Sequence, residues 1–269
     1  MRCPRLRPSV EAMKAETLGG TDFPNGGHQP PVPPGPPDPP ARKALITGAS
    51  RGLGRALADG LAAAGYSLVI DARDAGALDA AAAAIRAGAP GAEVIAVPGD
   101  VTDPAHRSAL RAAAGPLDLL VNNASTLGAA PLPALADYPL GELRAAFETN
   151  VLAPVALIQL FLPALRERGG AVLNITSDAA VEPYSGWGGY GAAKAALEQA
   201  SNVLAAEEPA IRVWWVDPGD LRTDMHQAAF PRQDISDRPL PSTVVPALVR
   251  LAEERLPSGR YAAAELVPA

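Results

Sequence analysis

The chain has little cysteine, no excess of positive charge and no long apolar run, and each of these shortages excludes a class of protein. Its 269 residues include one cysteine, Cys3, which excludes an internal disulfide and a cysteine-rich metal site and is typical of a reducing compartment. The formal net charge of −6 leaves no broad cationic surface, so neither nucleic acid nor a membrane is an expected partner. There is no uninterrupted run of about 18 apolar residues and no apolar segment behind the N-terminal arginines. We therefore expect a cytoplasmic protein that acts on a small molecule.

Residues 1–42 differ in composition from the rest of the chain. They contain four proline pairs and few apolar residues, a composition that cannot bury a core and favours extended polyproline conformation. The prediction is a disordered Pro-rich leader followed by one domain over residues 43–269. A ligand for a partner domain, or a true start at Met13, are alternative interpretations of the leader.

From residue 43 onward, short Val/Ile/Leu runs alternate with Ala-rich stretches of helical periodicity. This alternation predicts an α/β fold, a single doubly wound Rossmann domain with a seven-stranded parallel sheet and helices on both faces. The predicted strands span 43–47, 67–71, 93–97, 117–121, 171–176, 211–216 and a last one near 261–264. The predicted helices span 52–64, 75–87, 104–114, 141–168, 189–207 and 242–256.

A glycine-rich turn follows the first predicted strand, in the stretch Thr47-Gly48-Ala49-Ser50-Arg51-Gly52-Leu53-Gly54. Glycines allow the backbone to approach a pyrophosphate closely, and the helix that follows would aim unpaired N–H groups at it. The spacing differs from the commoner Gly-x-Gly-x-x-Gly, so an ordinary strand-to-helix turn stays open as an alternative.

Tyr190 and Lys194 lie four residues apart at the start of a predicted helix, which places both side chains on one face. A nearby lysine cation would lower the tyrosine pKa from about 10 and make the phenol a usable proton donor or acceptor. A surface tyrosine beside a solvated lysine has the same spacing. Ser177, at the end of the fifth predicted strand, supplies a hydroxyl that could hold a carbonyl oxygen, which favours the catalytic interpretation.

In this order of motifs, residues 43 to about 265 resemble the short-chain dehydrogenase/reductase family. The shared features are the glycine turn, Asn122-Asn123-Ala124, Asn150, Ser177, Tyr190 with Lys194, and Pro218-Gly219 with Thr223. The resemblance implies a catalytic tetrad. In it, Tyr190 is the general acid for carbonyl reduction, Ser177 orients the substrate oxygen, Lys194 tunes the tyrosine and binds the nicotinamide ribose, and Asn150 positions a proton-relaying water.

The end of the second predicted strand bears on which nicotinamide cofactor is bound. Asp71 would bind the adenosine ribose diol of NAD, whereas Arg73 would bind the 2′-phosphate of NADP. By the family's spacing from Gly65, the acid of NAD enzymes would fall at Ala72, so Arg73, supported by Arg51, favours NADP over NAD. Solvated arginines with no role are the alternative.

The resemblance also implies a cofactor-binding set and a substrate pocket. The cofactor set is Gly48, Ser50, Arg51, Gly52, Leu53, Gly54, Arg73, Asp100, Val101, Asn123, Ala124, Tyr190, Lys194, Pro218, Gly219 and Thr223. The pocket set is Tyr184, Trp187, Met225, His226 and Phe230, although His226 could be an exposed loop residue. No metal is expected, because no second histidine or acid cluster accompanies His226.

The expected protein is thus an NADP(H)-dependent carbonyl reductase or alcohol dehydrogenase that forms a homodimer or homotetramer through helices 141–168 and 189–207. An NAD-dependent alcohol dehydrogenase, or a non-catalytic protein that binds a dinucleotide and docks through its leader, are the alternatives. Two departures from the family pattern are Ser125, where glycine is common, and Asp178 after Ser177. Trp214 and Trp215 are expected in the core, with substrate stacking as the other possibility.

Overall fold

A computed structural model of the chain describes residues 42–266. The predicted Pro-rich leader, apart from Arg42, lies outside the described residues.

Seven parallel strands form one sheet in the order β3-β2-β1-β4-β5-β6-β7, which confirms the predicted fold class. The strands are β1 Lys43–Ile46, β2 Ser67–Ala72, β3 Val94–Pro98, β4 Leu119–Asn122, β5 Ala171–Ile175, β6 Arg212–Asp217 and β7 Gly259–Ala262. The last strand begins two residues before the predicted position, and the residues after it form a short helix instead.

The helices are α1 Gly52–Ala63, α2 Ala75–Gly88, α3 Pro104–Ala114, α4 Leu140–Phe147, α5 Ala153–Arg168, α6 Gly188–Glu207, α7 Asp224–Ala229, α8 Val245–Glu254 and α9 Ala263–Leu266. They cover both faces of the sheet because successive side chains of a strand point to opposite faces. In β1, Ala44 and Ile46 pack into the core formed with α1, α2 and α8. Leu45 packs into the second core, formed with α3 and α5.

From β1 the chain adds strands first on one side, β2 and β3, and then on the other, from β4 onward. The site lies at this change between β1 and β4. β1 pairs with β2 on one side and with β4 on the other, with Ile46 opposite Ile70 and Val121. Their carboxyl ends therefore open side by side, where ligands bind in open parallel sheets.

The stretch from 141 to 168 is not one regular helix as predicted. α4 ends at Phe147, a π-helical turn follows over Glu148–Leu152, and α5 begins at Ala153. By length and composition alone the 29 residues Leu140–Arg168, which contain an 18-residue window of mean hydropathy 1.6, could cross a membrane. The core helix of a globular domain has the same features, and α5 packs on the sheet through the side chains of Leu157 and Phe161.

Candidate active site

The glycine turn between β1 and α1 is fixed by hydrogen bonds from both flanking strands. The Asp71 carboxylate accepts from the Gly48 N–H at 2.7 Å. The Asn123 amide donates to the backbone oxygens of Thr47 and Gly48 at 2.8 and 3.2 Å. Gly48 has φ +67°, and a Cβ placed there would lie 2.9 Å from Ala124 Cα. Only glycine allows Ala124 to approach the turn this closely.

Asp71 is a structural residue and cannot reach a ribose, contrary to one of the two sequence interpretations. Its side chain is 1% exposed and its second oxygen pairs with His106 Nε2 at 3.0 Å. Burial raises the pKa of Asp71, and the hydrogen bonds from His106 and Gly48 oppose that rise. The sequence analysis missed His106. Its position on the buried face of α3, one turn before Leu110, was the available signal.

The N-terminus of α1 has backbone N–H groups that no side chain of the described residues caps. Asp74, Asp103 and Thr223 each accept a backbone N–H at the start of α2, α3 and α7. The corresponding residue of α1, Arg51, makes no such bond. Unpaired N–H groups at the start of a 12-residue helix attract an anion, so the turn fits a pyrophosphate.

Three predicted cofactor residues of this turn have different exposures. Arg51 is exposed and its guanidinium pairs with Asp224 of α7 at 2.8 Å. Ser50 is half-buried at the turn. Leu53 is 8% exposed and packs in the core, so only its backbone can face a ligand.

Arg73 and Asp100 lie together beyond β2 and β3. Arg73 is exposed. Partial burial alone would raise the pKa of Asp100, but hydrogen bonds from the Thr102 N–H and hydroxyl and the charge of Arg73 outweigh it and lower the pKa. Val101 is buried beside them. This edge therefore combines an exposed cation with an acid that stays ionised.

Tyr190, Lys194 and Ser177 meet at the start of α6 and the end of β5. The Lys194 ammonium is 5.6 Å from the centroid of the Tyr190 ring and donates to the Ile175 carbonyl at 2.8 Å. A Cβ on Gly191 would lie 2.4 Å from the Ala179 oxygen, so glycine allows α6 to pack against the segment after Ser177.

The pKa values of this group differ from the sequence expectation. Burial raises the pKa of Tyr190, and the nearby hydroxyls of Ser125 and Ser177 oppose the rise by favouring the ionised phenol. Burial lowers the pKa of Lys194 to about 8. The predicted lowering of the tyrosine pKa is thus outweighed by desolvation, which disfavours both charges.

Asn150 is fully buried within the π-helical turn. Its amide oxygen accepts from the Ser125 hydroxyl at 3.1 Å and the Thr126 N–H at 2.9 Å, and its amide nitrogen donates to the Thr126 carbonyl at 2.8 Å. Asn150 therefore fixes the segment after Asn123-Ala124. Ser125, noted in the sequence only as a departure from the family pattern, connects Asn150 to the surroundings of Tyr190.

The turn after β6 faces the glycine turn. Gly219 has φ +74°, and a Cβ there would have no atom within 4 Å, so the space beside Pro218-Gly219 is open. The Thr223 hydroxyl accepts the His226 N–H at 3.1 Å. The Thr223 methyl lies 3.6 Å from the position of a Cβ on Gly52. The predicted cofactor residues of β1, β4 and β6 thus converge on one cleft.

On the substrate side, four of the five predicted residues pack together near Tyr190. Trp187 contacts Tyr190 edge-on with ring centroids 5.6 Å apart, and Phe230 lies 5.9 Å from Trp187 and 4.9 Å from His226. Met225 packs on the same cluster. Tyr184 lies apart, 47% exposed, with its hydroxyl bonded to Asp178. Trp214 and Trp215 lie in the two cores, which excludes substrate stacking.

Comparisons relate the chain to known proteins. A family model described as short chain dehydrogenase matches residues 42–234. Sepiapterin reductase from Mus musculus is 36% identical over 199 residues, which are 69% of this chain and 76% of that protein. An alcohol dehydrogenase from Thermococcus sibiricus, complexed with 5-hydroxy-NADP, has a TM-score of 0.74 at 26% identity and covers 82% of this chain and 95% of its own. A short chain dehydrogenase from Shigella flexneri, complexed with NADP, has a TM-score of 0.77 at 26% identity, with coverages of 83% and 97%.

Proposed function

The chain belongs to the short-chain dehydrogenase/reductase family of oxidoreductases, and we propose that it reduces the carbonyl group of a small organic molecule with NADPH. The observation that carries this proposal is the grouping of Tyr190, Ser177 and Lys194 beside the cleft of the glycine turn. A buried phenol that keeps its proton is suited to donating it to a carbonyl oxygen as that oxygen gains negative charge.

Each residue of the group has a role in this mechanism. NADPH supplies the hydride when bound. Tyr190 donates its hydroxyl proton to the substrate oxygen, so that the carbonyl becomes an alcohol and the tyrosine becomes a phenolate. Ser177 orients the same oxygen. Lys194, with a pKa lowered to about 8, restores the proton to Tyr190, and Asn150 holds the segment that carries Ser125.

The cofactor assignment rests on the charges of the cleft and on the N–H groups at the start of α1 that no side chain of residues 42–266 caps. The start of α1 fits the pyrophosphate. The exposed Arg73 is a better partner for the 2′-phosphate of NADP than for the ribose diol of NAD. The burial of Asp71 removes the acid that would have favoured NAD. Relatives solved with NADP or 5-hydroxy-NADP support the same choice. The remaining contacts would come from Asp100, Val101, Asn123, Ala124, Pro218, Gly219 and Thr223.

Two further expectations belong to this proposal. The enzyme would act in the cytoplasm, since the chain has little cysteine. It would form a homodimer or homotetramer, because Leu152 and Val203, beside α5 and on α6, are 51% and 43% exposed. Light scattering on the purified chain gives the number of subunits.

The first experiment is a titration of the purified protein with NADPH and, separately, NADH, followed by nicotinamide fluorescence. We expect tighter binding of NADPH, and Arg73→Ala should weaken NADPH at least tenfold while changing NADH little. Arg144→Ala, which removes an exposed arginine from α4, is the matched control. Equal affinity for the two nucleotides would refute the NADP assignment.

Turnover is tested with Tyr190→Phe, which keeps the ring and its packing on Trp187 but removes the proton donor. NADPH affinity should stay within about threefold, while carbonyl reduction should fall by at least about 100-fold. Normal reduction by this variant would exclude Tyr190 as the acid. A wild-type protein that binds neither nucleotide would instead support a non-catalytic protein that only binds a partner.

A further inference from the structure

Asp178 connects the proposed catalytic serine to the exposed Tyr184. Its carboxylate accepts a hydrogen bond from the Ser177 hydroxyl at 2.9 Å on one oxygen and from the Tyr184 hydroxyl at 2.9 Å on the other. Tyr184 is 47% exposed, so this group reaches from the interior to solvent. Each carboxylate oxygen accepts a second hydrogen bond readily, so both can still accept a donor from a ligand.

The hydrogen bond to Asp178 uses the only proton that the Ser177 hydroxyl can donate. The Ser177 oxygen accepts the Ala179 N–H at 3.2 Å and donates its own proton to Asp178. A carbonyl oxygen that needs a donor from Ser177 must therefore compete with the carboxylate. A substrate that offers its own N–H or O–H to Asp178 weakens that competition and releases the serine proton.

A second acceptor, His226, lies against Phe230, which packs on Trp187 beside Tyr190. The His226 side chain is 10% exposed, and its buried Nε2 has no hydrogen-bond partner among residues 42–266. Its Nδ1 lies 3.8 Å from Asp220, and a neutral imidazole that carries its proton on Nδ1 presents Nε2 as an acceptor. Buried nitrogens without partners are rare in folded proteins, and a ligand that donates a hydrogen bond would satisfy this one.

We propose that the site selects carbonyl compounds that carry an N–H or O–H donor beside the carbonyl, and that Asp178 rejects those that carry a carboxylate there. The inference rests on the proposed function and goes beyond it by naming a substrate class. An anionic group placed at Asp178 would face like charge. Asp217 is a second anion nearby, and the charges of both carboxylates raise the pKa of Tyr190. Arg260, whose guanidinium donates to the Ser177 carbonyl at 3.5 Å, is paired with Glu198 at 3.0 Å.

The test compares three substrates that share a phenyl ketone, a ring suited to the wall of Trp187 and Phe230: benzoylformamide, methyl benzoylformate and benzoylformate. They differ only in an N–H donor, a neutral ester or a carboxylate beside the carbonyl. We expect kcat/KM for NADPH-dependent reduction to follow that order, with the amide at least about tenfold above the carboxylate, as repulsion between two partly screened charges allows.

Asp178→Asn should lower the ratio of kcat/KM for the amide to kcat/KM for the carboxylate at least threefold, chiefly by raising kcat/KM for the carboxylate. Glu182→Gln removes a charge from the same segment, farther from Ser177, and should leave the ratio unchanged. His226→Leu should lower kcat/KM for the amide more than for the ester.

The outcomes separate the two proposals. A carboxylate reduced as well as the amide, or a ratio unchanged by Asp178→Asn, overturns the substrate class and leaves the oxidoreductase assignment intact. A protein that binds NADPH but reduces none of the three also overturns the substrate class alone. A protein that binds no NADPH overturns the proposed function, and the inference with it.

Discussion

Replacing His106 with leucine should destabilise the protein and loosen its cofactor turn, because His106 is the buried partner of Asp71. The two side chains are 5% and 1% exposed and pair at 3.0 Å. A hydrogen bond to a charged group contributes about 1.5–3 kcal/mol, and a buried charge stripped of its partner costs about 3–5 kcal/mol. The Gly48 N–H still holds the other oxygen. We therefore expect His106→Leu to lower the free energy of unfolding by about 2–3 kcal/mol.

The assay is urea unfolding at pH 7 together with an NADPH titration of each variant. His106→Gln keeps an N–H donor and should lose less stability than His106→Leu. In the double variant with Asp71→Asn the buried charge is gone, so the loss caused by His106→Leu should shrink by at least about 1 kcal/mol. NADPH affinity should fall with His106→Leu because Asp71 holds Gly48 in the turn. A loss below about 0.5 kcal/mol with unchanged affinity would refute the reasoning.

Three other changes test the site. Gly54→Ala would place a Cβ 2.4 Å from the Asn123 amide and 2.5 Å from the Gly48 oxygen, so we expect a loss of about 1–3 kcal/mol in urea unfolding and weaker NADPH binding; wild-type values for both would contradict the geometry. The pKa of Lys194, lowered to about 8, means that the unfolded chain holds a proton between about pH 8 and 10.5 that the folded chain has released. Wild-type stability should therefore rise by about 2 kcal/mol relative to Lys194→Met from pH 8 to 10, and a constant difference would exclude the shift. Ser125→Ala removes a hydroxyl that favours the ionised Tyr190 and should move the acid limb of alcohol oxidation to higher pH, with an unmoved limb as the contrary result.

The sequence predicted the fold because hydrophobic periodicity reports burial directly. β1 alternates between two cores, and strands buried on both faces require continuous apolar runs such as Leu68–Ile70. The glycine turn was recognisable for a related reason, since the positive φ of Gly48 and Gly52 tolerates few other residues. Such local requirements leave a trace in a single sequence.

Features that depend on packing between distant segments left no such trace. Asp71 and His106 are 35 residues apart, and nothing in either segment identifies the other as its partner. The π-helical turn at Asn150 inserts one residue into a helix without a change of composition. The role of Asp71 could not be predicted because an acid at the end of a strand serves equally well to bind a ribose or to hold the turn.

The pKa of Tyr190 shows why the pairing of Tyr190 with Lys194 does not by itself fix the chemistry. Spacing on a helix predicts the attraction between a phenolate and an ammonium, but desolvation acts on both groups and its size depends on how deeply α6 packs. Here burial raises the pKa of Tyr190 and lowers that of Lys194 to about 8, so near neutral pH the phenol is neutral while the lysine still carries a proton that it can release. A neutral phenol beside a lysine that titrates near pH 8 is ready to give a proton, whereas alcohol oxidation first needs the phenol to lose one. The same two residues thus favour reduction near neutral pH, and oxidation gains as pH rises.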